Sequence, residues 1–263
     1  YKLDASIKLT PEGDGVFHCD ASEAYWNFSG AFGGWAVAVA VEAVSKAPGS
    51  RGDLVSVNAV FPDALSREPL SVRTRKLRGR ARTDFWRVEF FDHAAPGEAK
   101  FCADLVMSQP RTSDVSFQPP LPNIPAPEDI APFPMPGGPK WLVDYDQRLV
   151  KGRPFTKAKR PDSITWLREA DGRPLDAKGI AAISDTYMPR IFFADNKMHM
   201  GSTVSYSLSL FAGAEELAAI GNDFLLMEAD AAVIANGAYD QRGTMRARDG
   251  RVLAVTNQIA FFR

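Results

Sequence analysis

The stretch from Gly30 to Ala47 most constrains the fold, because nearly every position from Ala36 to Val44 is small or apolar. A helix that is hydrophobic around its whole circumference is stable only when protein surrounds it. Gly33 and Gly34 stand at its entrance, where the first amides have no partner in an earlier turn and where other backbone or a ligand can approach closely. The sequence therefore predicts a buried helix with a sheet curled around it.

Antiparallel strands are predicted on both sides of this helix. The first 19 residues predict a strand pair around a turn at residues 11–15, and four more strands follow the helix. One helix followed by a meander of strands is an α+β unit. These four strands are bounded by glycine, proline or charged turns and run Leu54–Phe61, Leu70–Leu77, Asp84–Phe91 and Lys100–Met107.

A proline-rich segment then divides the chain. Residues 119–139 contain nine prolines in 21 residues, a composition typical of an ordered or semi-rigid linker. The first pattern recurs after it, with the same interval of 23 residues from Ala31 to Leu54 and from Ile180 to Thr203. The sequence predicts a degenerate tandem duplication, with an N-terminal unit over residues 1–111, a linker over residues 112–140 and a C-terminal unit over residues 141–263.

The second unit is predicted to repeat the helix and the strands. Its helix spans about Leu175–Phe193, although Pro189 should kink or end it. Its strands are predicted at Trp141–Val150, Ser163–Arg168, Thr203–Phe211, Phe224–Ala232, Gly237–Ala247 and Val252–Phe262.

Two polar side chains in these strands are predicted to face the core. Val204, Tyr206 and Leu208 alternate with serines, so Tyr206 lies on the core side. Gln258 shares its face with small residues such as Ala254. Because a buried amide without a partner costs about 1–3 kcal/mol, Gln258 must have a hydrogen-bond partner or a ligand beside it.

The composition excludes several classes of protein. Thirty-one basic and 32 acidic residues nearly cancel, so no nucleic-acid partner is expected, and Cys19 and Cys102 are too few for a disulfide scaffold and favour a cytoplasmic protein. No apolar run is long enough to span a membrane, and no membrane partner is expected. Glycine motifs for nucleotides are absent and His18, His93 and His199 are isolated, so the sequence predicts no cofactor and no metal site.

Several of these features occur together in one known family. Phe32-Gly-Gly34 opening an apolar helix, the proline-rich connector, the segment from Tyr239 to Gln258 and the final Arg263 resemble the bacterial acyl-CoA thioesterase II family and its thioesterase-like relatives. The resemblance covers most of the chain. It implies an α+β double hotdog fold, in which two helix-wrapping antiparallel sheets stand in tandem, an acyl-CoA substrate, and hydrolysis of its thioester.

The resemblance also implies a catalytic set. The family places an aspartate, a threonine or serine, and a glutamine around an attacking water, and Gln258 matches the glutamine. Alignment puts Tyr206 at the aspartate position, where a phenol with a reference pKa near 10 is no base at neutral pH. The hydroxyl position falls near residues 231–232, beside Asp230 and Asn236. The predicted catalytic residues are therefore Gln258, Asp230, Tyr206 and Asn236.

The predicted substrate-binding residues are Phe32, Gly33, Gly34 and Asn58. Amides at a helix N-terminus can polarise a thioester carbonyl, but the glycines could instead serve only tight packing. Asn58 lies on the equivalent strand of the first unit. Six basic residues within 73–82 could hold the phosphates of coenzyme A, or form a solvated hairpin.

Two functions of different classes follow from these observations. The first is an acyl-CoA thioesterase with a degenerate catalytic set, which cleaves a fatty or other acyl-CoA to the free acid and coenzyme A at a pocket formed by the first helix entrance, Tyr206 and Gln258. The second is a non-catalytic acyl-CoA or lipid-binding protein in which Tyr206 closes the water site. A dehydratase is less well supported, because neither predicted helix contains a histidine. Edge strands favour a homodimer or a larger homo-oligomer.

Overall fold

The computed structural model of the chain describes residues 1–28 and 30–263. The strands in this part of the chain are β1 (Thr10–Gly13), β2 (Val16–Cys19), β3 (Asp53–Val60), β4 (Leu70–Gly79), β5 (Thr83–Asp92), β6 (Phe101–Ser108), β7 (Tyr145–Lys151), β8 (Ser163–Glu169), β9 (Gly201–Leu210), β10 (Leu225–Asp230), β11 (Ile234–Ala235), β12 (Ala238–Arg246) and β13 (Val252–Phe262). All of them belong to one antiparallel sheet, in the order β1-β2-β4-β5-β6-β3-β9-β13-β12-β10-β8-β7, with β11 beside β12.

The two halves of the chain share this sheet. Strand β3 from the first half pairs with β9 from the second half, with Asn58 opposite Ser207 and Ala59 opposite Tyr206. Backbone hydrogen bonds therefore continue across the junction between the halves. The helices of the described residues are α1 (Lys2–Ser6), α2 (Gly33–Lys46), α3 (Ala177–Ile183), α4 (Ile191–Ala194) and α5 (Ala214–Ile220).

Helix α2 is the buried rod that its sequence predicts. Its residues from Gly34 to Val41 are all buried, and it packs against the inner faces of β3, β4, β5 and β6. Helix α3 crosses it at Gly34, where an added Cβ would clash with the carbonyl oxygen of Ala182. The two helices thus meet at the entrance of α2, which brings the second half of the chain to the glycine pair.

The second helix is shorter than predicted. Helix α3 ends at Ile183, well before Pro189, and a single helical turn, α4, resumes at Ile191. Ser184 Oγ donates to the Ala181 carbonyl at 2.6 Å and Thr186 Oγ1 donates to the Ile183 carbonyl at 2.7 Å. Hydroxyl side chains that bond to nearby backbone compete with helix continuation, and here they mark its end. Residues 184–190 therefore form a loop between α3 and α4.

The remaining strand predictions agree with the structure to within a few residues. The largest shift is at β7, which begins at Tyr145 rather than Trp141 because residues 140–144 form a 3-10 turn. Helix α5 was not predicted. Its N-terminus is capped by Glu216, whose side chain accepts a hydrogen bond from the Gly213 amide at 2.9 Å.

The proline-rich segment lies along the sheet of the second half. The Trp166 indole donates to the Pro125 carbonyl at 3.0 Å, and Arg148 and Arg246 donate to the carbonyls of Pro127 and Pro119 at 3.0 Å. These bonds give the segment fixed contacts, while the division into units at residues 111 and 141 stays a prediction. No helix of the described residues is long and apolar enough to cross a membrane.

Candidate active site

A carboxylate stands where the two halves of the chain meet. Asp185 lies in the loop that follows α3, and its Oδ1 accepts a hydrogen bond from Gln258 Nε2 at 2.7 Å. The backbone amide of Gly34 also donates to this carboxylate. Because α2 presents its positive end there, the helix stabilises the ionised form of Asp185. Asp185 therefore joins the first helix entrance to strand β13.

A threonine fixes the orientation of the glutamine. Thr203 Oγ1 donates to Gln258 Oε1 at 3.3 Å, and Gln258 is buried with 4% of its surface exposed. With its oxygen held by Thr203, the amide directs its NH₂ group towards Asp185. Thr203, Gln258 and Asp185 form one hydrogen-bonded row that ends at the Gly34 amide. This pairing of Gln258 satisfies the expectation that a buried amide has a partner.

Burial and hydrogen bonds act in opposite directions on Asp185. Burial raises the pKa of Asp185 to about 6, while the hydrogen bonds from Gln258 and the Gly34 amide act to lower it. A carboxyl group with such a pKa is ionised at neutral pH and is a stronger base than an ordinary aspartate. General bases work best when their pKa lies near the operating pH, so Asp185 is suited to accept a proton from water.

The glycine pair serves both packing and the carboxylate. A Cβ added at Gly33 would lie 2.6 Å from Asp185 Oδ2, so only glycine lets Asp185 approach this closely. Gly34 permits the crossing of α3 and supplies its amide to Asp185. Phe32 is buried and stacks on Trp141, with ring centroids 4.1 Å apart. The structure thus gives Phe32 a packing contact and places Gly33 and Gly34 at the site.

Tyr206 borders the site on the core face of the sheet. It lies directly opposite Gln258 on the neighbouring strand and is 4% exposed. Its hydroxyl shares a hydrogen bond with Ser184, the residue before Asp185. Burial raises the pKa of Tyr206 well above its ordinary value, so the phenol is neutral. Tyr206 faces the core as predicted, and the carboxylate of Asp185 lies on the loop beside it.

Asp230 and Asn236 do not reach Gln258. Residues directly opposite each other in antiparallel strands share a face, and Asp230 stands opposite Arg242, which stands opposite Asn257. Asp230 therefore lies on the outer face, where it accepts from Arg242 Nη2 at 3.2 Å. Asn236 occupies an exposed turn with a φ of 52°. As a correction to the sequence prediction, neither side chain belongs to the row of Thr203, Gln258 and Asp185.

Asn58 also lies on the outer face. It is exposed, and it stands opposite Ser207, which stands opposite Asn257. It lines an outer groove of about 570 Å³ that takes in consecutive residues of four strands, including 257–259, and so lies against the sheet backbone. As a correction, Asn58 is separated from Asp185 by the sheet itself.

The basic run at residues 73–82 covers β4 and the turn to β5. Lys76 Nζ and Arg51 Nη2 bind the buried carboxylate of Asp84 at 3.0 and 2.9 Å. The Arg51 guanidinium, with help from Lys76, holds the pKa of Asp84 at about 2 against the effect of burial. Lys76 thus has a structural partner, and a role of this run in phosphate binding stays a prediction.

Sequence reasoning missed Asp185 and Thr203. Asp185 falls inside the predicted helix, and its one signal is a Ser-Asp-Thr triplet directly after the apolar run that ends at Ile183. Strict alternation puts Thr203 on the face opposite Tyr206, but a register shift in β9 pairs Thr203 with Ala260 and turns it to the inner face. The regular alternation of apolar and polar residues along β9 does not reveal this shift.

Two family models of acyl-CoA thioesterase domains match most of the chain. The chain matches the acyl-CoA thioesterase C-terminal domain family over residues 127–262 and the corresponding N-terminal domain family over residues 22–107. The first match alone covers more than half of the chain. Comparison with curated proteins finds no match.

Solved structures share the fold over nearly the whole chain. A conserved protein of unknown function with a hot dog fold from Alicyclobacillus acidocaldarius has a TM-score of 0.95 and 26% identity, and the match covers 100% of this chain and 98% of that one. The tesB protein of Mycobacterium avium subs paratuberculosis has a TM-score of 0.81 and 20% identity, with 100% and 98% covered. An acyl-CoA thioesterase II from Mycobacterium marinum has a TM-score of 0.78 and 16% identity, with 99% and 98% covered. The double hotdog fold is therefore confirmed.

Proposed function

We propose that this chain, which belongs to the acyl-CoA thioesterase family, hydrolyses acyl-CoA thioesters with Asp185 as the base. The observation that carries the proposal is the row of Thr203, Gln258 and Asp185 at the entrance of α2, with the Gln258–Asp185 bond at 2.7 Å. An aspartate, a threonine and a glutamine are the residue types that the family resemblance implies. The catalytic set is then complete rather than degenerate.

In the proposed reaction, water attacks the carbonyl carbon of the thioester. Asp185 takes one proton from this water, and Gln258, held by Thr203, orients it. The positive end of α2 at Gly33 stabilises the oxyanion that forms on the carbonyl oxygen. When the carbon–sulfur bond breaks, the proton passes from Asp185 to the departing sulfur, which leaves as the free thiol of coenzyme A. The other product is the carboxylic acid.

A set of matched variants tests this assignment on a panel of acyl-CoAs, with detection of the released thiol. Asp185→Asn keeps the size and the acceptor oxygen of the side chain but removes the base, so we expect kcat/KM to fall by about 100-fold or more. Asp230→Asn makes the same change on the outer face and should leave turnover intact. Wild-type turnover in Asp185→Asn, or an equal loss in both variants, would contradict the proposal.

Gln258 and Thr203 are tested in the same assay. Gln258→Ala removes both the donor to Asp185 and the group that orients water, and Thr203→Val removes only the hydroxyl that holds the amide. We therefore expect a larger loss of kcat for Gln258→Ala than for Thr203→Val. Binding of acyl-CoA by the wild-type chain without any thiol release would instead support the non-catalytic function.

We also propose a cytoplasmic location and self-association into a homodimer or a larger oligomer. The cytoplasmic location is supported by Cys19 and Cys102, which are free thiols.

Self-association, the second of these proposals, is supported by the edge strand β7, whose outer side has no strand partner within the described residues. Light scattering on the purified chain measures its mass directly, and a monomer at micromolar concentration would contradict the second proposal.

A further inference from the structure

Two histidines that are isolated in the sequence meet at one edge of the sheet. His18 lies on β2 and His93 directly follows β5, and their ring centroids are 4.6 Å apart with the rings perpendicular. Glu12, on β1, completes the group. Its Oε1 lies 4.0 Å from His18 Nδ1 and 3.8 Å from His93 Nε2.

The second nitrogen of each imidazole is already engaged. His18 Nε2 is hydrogen-bonded to Asp20 Oδ1 at 3.0 Å, and His93 Nδ1 is hydrogen-bonded to Ser71 Oγ at 2.9 Å. In each ring the other nitrogen faces Glu12: Nδ1 in His18 and Nε2 in His93. In protein metal sites, a histidine ligand usually donates its second N–H to a carboxylate, hydroxyl or carbonyl that fixes its orientation. Asp20 and Ser71 are placed to do this.

The inward-facing atoms approach one another without bonding. Distances of 3.8 and 4.0 Å exceed those of hydrogen bonds, so the carboxylate and the two ring nitrogens surround a gap. All three atoms lie within 4.8 Å of one another. Ligand atoms around a tetrahedral Zn²⁺ are separated by about 3.3 Å, so side-chain shifts of about 1.5 Å or less would bring this group to metal-binding geometry.

The surrounding charge is compatible with a cation. Glu12 and Asp20 contribute two carboxylates, and Arg73, two residues along β4 from Ser71, has its guanidinium over the Phe91 ring at 4.9 Å. Two imidazoles with one carboxylate suit zinc, copper, nickel or iron rather than magnesium or calcium, which prefer oxygen ligands.

We propose that Glu12, His18 and His93 form a binding site for a divalent transition-metal ion, with water as the remaining ligand. The site is remote in the fold from Asp185, because β1 and β2 lie at the far edge of the sheet from β13. Its ligands come from β1, from β2 and from the segment after β5, so the ion links the terminal hairpin to the body of the sheet. Such a link stabilises an edge that has few neighbours.

Calorimetric titration of the chelator-treated protein with Zn²⁺ tests the site. We expect one zinc ion per chain with a dissociation constant in the micromolar range or tighter, and at least about tenfold weaker binding for His93→Ala and Glu12→Gln. His199→Ala is the matched control, since His199 is hydrogen-bonded to Asp195 at 2.9 Å elsewhere in the fold and should not change binding. Circular dichroism confirms that each variant is folded.

Co²⁺ provides a readout of the ligand geometry. A tetrahedral site with two imidazoles gives intense visible absorption, which His18→Ala and His93→Ala should remove while His199→Ala leaves it unchanged. Zinc binding that survives the loss of both His18 and His93, or that is absent from the wild-type chain at neutral pH, would overturn the proposal. Hydrolysis of acyl-CoA is independent of this outcome.

Discussion

The surroundings of Asp185 set its pKa. Burial raises its pKa to about 6, and the hydrogen bond from Gln258 opposes that rise. If Asp185 is the base, kcat/KM should increase with pH through about 6 and level off above it. In Gln258→Ala the opposing hydrogen bond is lost, so the residual activity should show its midpoint at a higher pH. Rate profiles of both proteins measure this, and an unchanged midpoint would contradict the assigned contact.

The same pKa makes a prediction for stability. The folded protein binds a proton at Asp185 more tightly than the unfolded chain, so ionisation of this residue costs stability as the pH rises from about 4 to above 6. At about 1.4 kcal/mol per pH unit, the cost is at most about 3 kcal/mol. We expect Asp185→Asn to be more stable than the wild type at neutral pH, with the difference shrinking towards pH 4, whereas Asp230→Asn changes little. Urea unfolding at several pH values measures both.

The candidate site was partly predictable at the scale of residues. Gln258 and the glycine pair were identified because they stand in regular elements, where period and burial can be read from the sequence. Asp185 was missed because its loop interrupts a run that looks helical, and the interruption depends on hydroxyl bonds of Ser184 and Thr186 to backbone. Thr203 was missed because the register shift in β9 depends on pairing with β13.

At the scale of elements, the two glycines at the junction of α2 with α3 have different expected roles, Gly33 in activity and Gly34 in stability. Gly33→Ala puts a methyl group 2.6 Å from Asp185 Oδ2, whereas a methyl group at Gly34 clashes with backbone of α3. We expect Gly33→Ala to lower kcat/KM strongly with little loss of stability, because alanine favours the helix while the carboxylate is displaced. Gly34→Ala should lower the free energy of unfolding by about 1–3 kcal/mol or more.

Activity assays and denaturant unfolding of the two variants distinguish these effects. Gly97→Ala is a suitable control, because its added Cβ would meet only the Ala95 carbonyl oxygen, at 3.9 Å. Full activity in Gly33→Ala would show that the close approach of Asp185 is not required.

Strands and helices differ in how well the sequence predicted them. Strand β13 has the predicted bounds, Val252–Phe262, and the other long strands shift by few residues, because apolar alternation reports burial on one face. The second helix does not have its predicted length, because an apolar run fits a buried helix and a buried loop equally well. The hydroxyl groups of Ser184 and Thr186, which bond to nearby backbone, mark the end of the helix.

At the scale of the whole molecule, the predicted duplication does not extend to the candidate site. The alignment of the halves that pairs Ala31 with Ile180 and Leu54 with Thr203 also pairs Ala36 with Asp185 and Val57 with Tyr206. Gln258 stands opposite Tyr206, and the residue opposite Val57 is Leu105. All three counterparts are apolar and at most 1% exposed. The first half therefore supplies a helix entrance, and the second half supplies the polar side chains of the candidate site.

This asymmetry predicts one substrate site per chain. We expect a thioether analogue of an acyl-CoA, which cannot be hydrolysed, to bind with a stoichiometry of one per chain by calorimetry. Gly33→Leu, which fills the entrance beside Asp185, should abolish that binding, and a matched enlargement of the counterpart region, Ala36→Val, should affect stability rather than stoichiometry, because Ala36 is fully buried. A packed core of alanine, valine and leucine has no group to hold a thioester carbonyl, so a measured stoichiometry of two equivalents per chain would contradict this prediction and show that the apolar counterpart also opens to a ligand.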